Sequence, residues 1–175
     1  MLIEIRPLTA NDAAEYHAVR LRALRESPES FGSSYEDERD MPLDVIQKRI
    51  ESMRSPTARV SLGAFVDGSL VGVVTCVQEG RPKTRHKATV LGMFVAPEAR
   101  GRGIGRQLIE RTIEEARSWP NVARLTLSVV ERATAARSLY VSVGFRPFGR
   151  EVDGFRQDGY SDTVESLALE LSEPQ

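Results

Sequence analysis

A single cysteine, Cys76, stands among 175 residues. An internal disulfide framework is therefore excluded, and the chain suits a reducing compartment. Histidine is almost as scarce. His17 and His86 lie far apart and lack the spacing of metal ligands, so no metal is expected. No sign of charge prevails either: 24 basic and 25 acidic side chains leave a formal net charge of -1. That balance gives no global electrostatic case for nucleic acid, whose binding domains are as a rule clearly basic. Long hydrophobic runs are also missing. The longest uncharged apolar stretch, residues 69–78, is half of what a membrane span needs. The opening MLIEIRPLTANDAAE carries acids where a signal peptide would be cationic and then apolar. These absences together predict a soluble, cytoplasmic chain with no membrane or nucleic-acid partner.

What is present is a hydrophobic fraction of 41%, enough for a real core in one domain spanning residues 1–175. No internal repeat, low-complexity tract or linker divides it. Residues 2–6 read as a strand stopped by Pro7. Thr9 and Asp12 then mark a helix start, with Ala14, Ala18, Leu21 and Leu24 expected on one face and an end before Pro28. A second helical stripe runs through Leu43, Ile46, Ile50 and Met53. Residues 59–66 and 69–77 are strand-like around Asp67-Gly68, a pair suited to the positive φ angles of a tight hairpin. Further strands are expected at 88–95, 124–130, 145–152 and 162–171, and helices from 104 to about 117 and from 134 to 143. A strand, a helix and another strand form a crossover, so the strands at 88–95 and 124–130 should be parallel within a mixed sheet.

Residues 90–117 carry the strongest signal: an apolar strand, a Pro-marked turn, glycines at 101, 103 and 105 flanked by Arg100, Arg102 and Arg106, then an amphipathic helix. Glycines at a strand-to-helix turn let backbone amides approach a ligand closely, and a helix start has unpaired N–H groups and partial positive charge that favour phosphate. The two common phosphate loops do not fit. The dinucleotide fingerprint would need glycine where Arg106 or Leu108 stands, and no Gly-Lys-Ser/Thr ending occurs.

Arg100-x-x-Gly103-x-Gly105, followed by Ala136-Arg137-Ser138-Leu139-Tyr140-x-x-x-Gly144-Phe145, resembles the GCN5-related N-acetyltransferase (GNAT) superfamily over about residues 3 to 171. The resemblance implies an α/β fold with a mixed, mostly antiparallel sheet of about seven strands and about four helices, and a splayed parallel strand pair at the cofactor. It implies acetyl-CoA as acetyl donor and a primary amine of a small molecule or peptide as acceptor. By the same resemblance Arg100, Gly101, Arg102, Gly103, Ile104, Gly105 and Arg106 hold the pyrophosphate, mainly through main-chain amides. Met93, Phe94 and Val95 align the pantetheine and thioester on a bulged strand, and Thr134, Ala136 and Tyr140 close the channel. Tyr140 is the expected general acid, since a phenol remains a proton donor at neutral pH.

Two departures from the family pattern stand out. Ala133 occupies the place of a frequent pantetheine-binding Asn, and Thr89 the place of the glutamate base of histone-modifying members. Glu36 and Glu79 are the base candidates, with Glu38 beside Glu36; each also reads as a solvated surface acid. Cys76, in mid-strand with no adjacent histidine, reads as a buried thiol rather than an acyl carrier. The basic run 81–87 reads as a solvated loop. The acceptor site is expected between the first two helices and a loop at about 149–162 carrying Asp153, Phe155, Asp158 and Tyr160. The competing reading is a non-catalytic acyl-CoA-binding sensor or interaction module. Family members often form homodimers, and a dimer is compatible with the chain.

Overall fold

The central strands at 59–66 and 69–78 are buried along most of their length, and a core covers each face of one sheet. The computed structural model describes residues 2–157 and 159–171. In chain order it contains β1 (Ile3–Pro7), α1 (Ala13–Glu26), α2 (Tyr35–Glu38), α3 (Leu43–Ser52), β2 (Arg59–Val66), β3 (Ser69–Gln78) and β4 (Lys87–Val95). These are followed by α4 (Ile104–Arg117), β5 (Arg124–Val130), α5 (Thr134–Ser142), β6 (Arg146–Gln157) and β7 (Tyr160–Glu170). The seven strands lie in the order β1-β2-β3-β4-β5-β7-β6. Only β4 and β5 pair in parallel among the described residues; the other ladders are antiparallel. This is the mixed α/β sheet expected from the crossover. Among the described residues there are five helices where about four were expected, because a single turn, α2, forms where the sequence showed no apolar stripe.

On one face, Leu62, Val74, Val90 and Leu127 pack against Ile104, Leu108, Ile109 and Ile113 of α4. On the other, Phe65, Val73 and Phe94 meet Tyr16 and Ala23 of α1 and Ile46 and Ile50 of α3. Helix α4 follows the expected stripe, and Arg106–Glu110 and Arg111–Glu115 form surface pairs at 3.1 and 2.7 Å. Helix α1 does not. Ala14 and Ala18 are exposed, and the buried side carries Ala13, Tyr16, Arg20, Ala23 and Leu24. The helix turned its small alanines outward because the face with the larger Tyr16 buries more apolar surface, and Arg20 on that face finds a partner inside.

The second departure concerns the end of the sheet. The strands β6 and β7 run on to Gln157 and from Tyr160, so the expected loop at 149–162 is instead a long two-stranded arm. Register shifts after Pro147 and after Glu151 absorb the residues that break its alternation, with Asp153 at φ 60°. Of the residues expected there, Phe155 reaches the central cavity and Tyr160 stays exposed. Asp153 is paired with Arg156, while Asp158 lies outside the described residues.

Candidate active site

The parallel register of β4 with β5 ends at Thr89 and Thr126; beyond it the two strands diverge. On the other edge of β4, Gly92 and Met93 together oppose Val74 of β3, a bulge made possible by Gly92 at φ 60°. Splay and bulge open a cavity of about 460 Å³. Its wall draws on both cores: Tyr16, Ile50 and Val73 from the α1/α3 side, and Leu127, Val129 and Tyr140 from the α4/α5 side. The cavity is thus a slot through the sheet.

Past the end of β4, a 3-10 turn at Pro97–Ala99 leads into the glycine segment. Arg22 of α1 grips Glu98 in this turn through two bonds of 2.5 and 2.7 Å. Gly101 and Gly103 adopt φ of 74° and 76°, left-handed conformations that cost a side-chain residue roughly 1–2 kcal/mol. Helix α4 begins immediately after, and its first intrahelical bond runs from Gln107 N–H to the Gly103 carbonyl at 3.0 Å. The amides of Ile104, Gly105 and Arg106 precede that bond, at the end of the helix where the dipole carries partial positive charge. A Cβ on Gly105 would stand 3.2 Å from Leu139 and 3.6 Å from Met93, so the first turn of α4 packs closely between α5 and the bulge.

The flanking arginines are engaged with the protein. Arg100 Nε donates to the Val95 carbonyl at 2.8 Å, and its guanidinium lies over the Phe94 ring. Arg106 donates to Glu110 at 3.1 Å and to Ser142 Oγ at 2.8 Å, tying α4 to α5. The backbone is therefore the freer part of the cradle. At the start of α5, Thr134 is exposed, while Ala133 and Ala136 lie on the slot wall.

Tyr140 is 8% exposed, held edge-on to Phe145, and its hydroxyl donates to Met93 Sδ at 3.5 Å. Burial pushes the phenol up to about 12, so it keeps its proton at any physiological pH. The structure thus brings Met93 and Tyr140 together on the slot wall. It does not bring Glu36 or Glu79 there. Both are exposed, and among the described residues lining the slot none is Asp or Glu. Cys76 is fully buried and its thiol is pushed up to about 12 by desolvation.

Glu38, grouped with surface acids on sequence grounds, is in fact 3% exposed. Arg20 Nε and Nη2 donate to its two oxygens at 3.1 and 2.8 Å, and Arg49 Nη1 approaches at 3.3 Å. Burial pushes this carboxyl up, but the bonds and charge of Arg20, aided by Arg49, outweigh it and hold the group below its ordinary range. Arg20 and Arg49 both line the slot, and neither was singled out in the sequence. The available signal was Arg20 four residues from Tyr16 and from Leu24, a charge inside an apolar helical stripe.

The sheet thus opens between two parallel strands, with a glycine-started helix beside the opening. The chain belongs to the Acetyltransferase (GNAT) family, whose model matches residues 20–145. The fold is shared with an acetyltransferase of the GNAT family from Streptococcus pneumoniae: TM-score 0.89, 24% identity, covering 97% of this chain and 100% of that one. It is shared also with yncA from Salmonella typhimurium, solved with its cofactor acetyl-CoA: TM-score 0.85, 19% identity, covering 100% and 97%. In sequence, the L-amino acid N-acetyltransferase AaaT of Escherichia coli is 32% identical over 84 residues, 48% of this chain and 51% of that protein. The chain spans about half the length of the curated relatives it matches. Among the described residues no helix is long and apolar enough to cross a membrane, and no group of three or more His, Cys, Asp or Glu could hold a metal ion.

Proposed function

We propose that the chain transfers acetyl from acetyl-CoA to a primary amine by direct attack in a ternary complex. The observation that carries this reading is the slot through the sheet, with a phenol donating to a sulfur on its wall and a glycine-started helix at its mouth. The residues fit the cofactor. The amides of residues 104–106 would hold pyrophosphate, Gly101 leaves open space where a side chain would stand, and the diverging edges of β4 and β5 offer main-chain partners to an extended pantetheine. Bound acetyl-CoA supplies a thioester whose C–S bond breaks as the acceptor nitrogen bonds to the acetyl carbon, the sulfur leaving with the electron pair. Tyr140 Oη delivers its proton to that sulfur. With no carboxylate among the described lining residues, the proton of the attacking amine passes to water.

The same missing carboxylate supports the competing reading, an acyl-CoA-binding module without chemistry. Thiol release from acetyl-CoA with a panel of amines separates the two. Release that depends on an amine supports the transferase; cofactor binding with no amine-dependent release supports the sensor.

A further inference from the structure

Arg20 and Arg49 meet at Glu38 on the α1/α3 side of the slot, opposite Tyr140. Two guanidinium groups share one carboxylate there, so the partly buried cluster carries one more cation than anion. Both arginines line the slot while Glu38 does not. A structural ion pair would be neutral; a surplus cation beside a slot with no acid among its described lining residues favours an anion, since partial burial strengthens the attraction.

The geometry of Arg20 sharpens this. The side chain is 11% exposed, and its Nε and Nη2 are spent on Glu38. Phe31 lies against its guanidinium at 4.9 Å. These contacts fix the plane of the guanidinium, and the third nitrogen, Nη1, points to the bulge: it lies 3.6 Å from where a Cβ on Gly92 would be. The next residue is Met93, whose Sδ receives the Tyr140 hydroxyl bond. The donor nitrogen and the acid hydroxyl therefore flank the same bulge. Arg49 adds a more flexible fork, 39% exposed and committed to Glu38 through Nη1 alone.

We propose that Arg20 and Arg49 bind the carboxylate of the acceptor, making the acceptor a free α-amino acid. In an α-amino acid one carbon separates the carboxylate from the amine, the short link needed when the anion-binding nitrogen stands beside the thioester-aligning bulge. A peptide N-terminus has an uncharged amide at that position and would leave the surplus charge unanswered. The apolar remainder of this side, including Phe31, Ile50 and Met53, suits an aliphatic side chain. This inference rests on the transferase reading, and its test keeps the two apart.

The full chain is assayed for thiol release with the standard α-amino acids and their α-amides, with 3-methylbutylamine added as leucine without its carboxylate. The best acid and its amide, or L-leucine and L-leucinamide if none turns over, are also titrated into CoA-saturated protein by calorimetry. The acids are expected to exceed their amides in kcat/KM by roughly tenfold or more, mostly through KM, because a charged hydrogen bond is lost in the amide. Arg49→Gln, in which Glu38 keeps Arg20, should erase most of that preference without altering acetyl-CoA affinity. Amides or 3-methylbutylamine used as well as the acids, or Arg49→Gln weakening acids and amides alike, overturns the assignment. Should acetyl-CoA bind and no amine release thiol, the transferase reading fails alone. The calorimetric comparison of acid with amide then decides the carboxylate site, equal binding of the two overturning it.

Discussion

Burial suits Tyr140 to the proposed acid role. With its phenol pushed up to about 12, it is a donor throughout the range in which an amine becomes neutral. Tyr140→Phe is expected to lower kcat by about a hundredfold, within the range of general acid catalysis, while acetyl-CoA affinity stays near normal. Unchanged turnover would remove the acid assignment. Because no carboxylate among the described residues lines the slot, kcat/KM should rise with pH toward the pKa of the acceptor amine. No alkaline fall due to Tyr140 should appear below pH 10. At this scale the sequence was legible for position where a motif names the residue: Tyr140 and Met93 do stand together on the slot wall. It was opaque for Arg20 and Glu38, because a charged residue is read as exposed by default and only the fold brings positions 20 and 38 together inside.

The bulge helps to open the slot, and the glycine segment starts the helix beside it. Gly103 is the N-cap of α4 at φ 76°. Gly103→Ala should destabilise the chain by roughly 1–2 kcal/mol, and it should weaken acetyl-CoA binding as the first-turn amides shift. Thermal unfolding and a titration read the two effects; a variant equal to the parent in both would show that this turn does not set the cradle. These elements were the most legible part of the chain. Helix α4 has a strict apolar period and paired surface charges, and β2 and β5 end where the pattern ends. Helix α1 and strand β6 were misread for opposite reasons. In α1 the alanines carried too little hydrophobic weight to orient the helix, and in β6 two bulges break the alternation by which a strand is recognised.

At the scale of the whole molecule, the sheet joins two cores and the start of α1 locks the first strand to them. Arg6 holds Asp12 through bonds of 2.9 and 2.8 Å, and the Thr9 amide adds one of 2.7 Å. The Arg6 bond is the main reason the Asp12 carboxyl falls from 3.8 to about 2. A carboxyl lowered by folding stabilises the native state above its unfolded value and loses that contribution as pH falls through the folded one. About 2 kcal/mol should therefore disappear between pH 4 and pH 2, and Asp12→Asn should remove it already at neutral pH. Acid titration of both forms by circular dichroism tests this; parallel curves would contradict it.

In the proposed reading, the cofactor cradle lies on one side of the slot and the acceptor chamber on the other. The most direct test of that arrangement is an equilibrium titration of the purified, folded chain with acetyl-CoA. Saturable binding at one site per chain, weakened in Gly103→Ala, is the expected result. No binding at millimolar acetyl-CoA would contradict it.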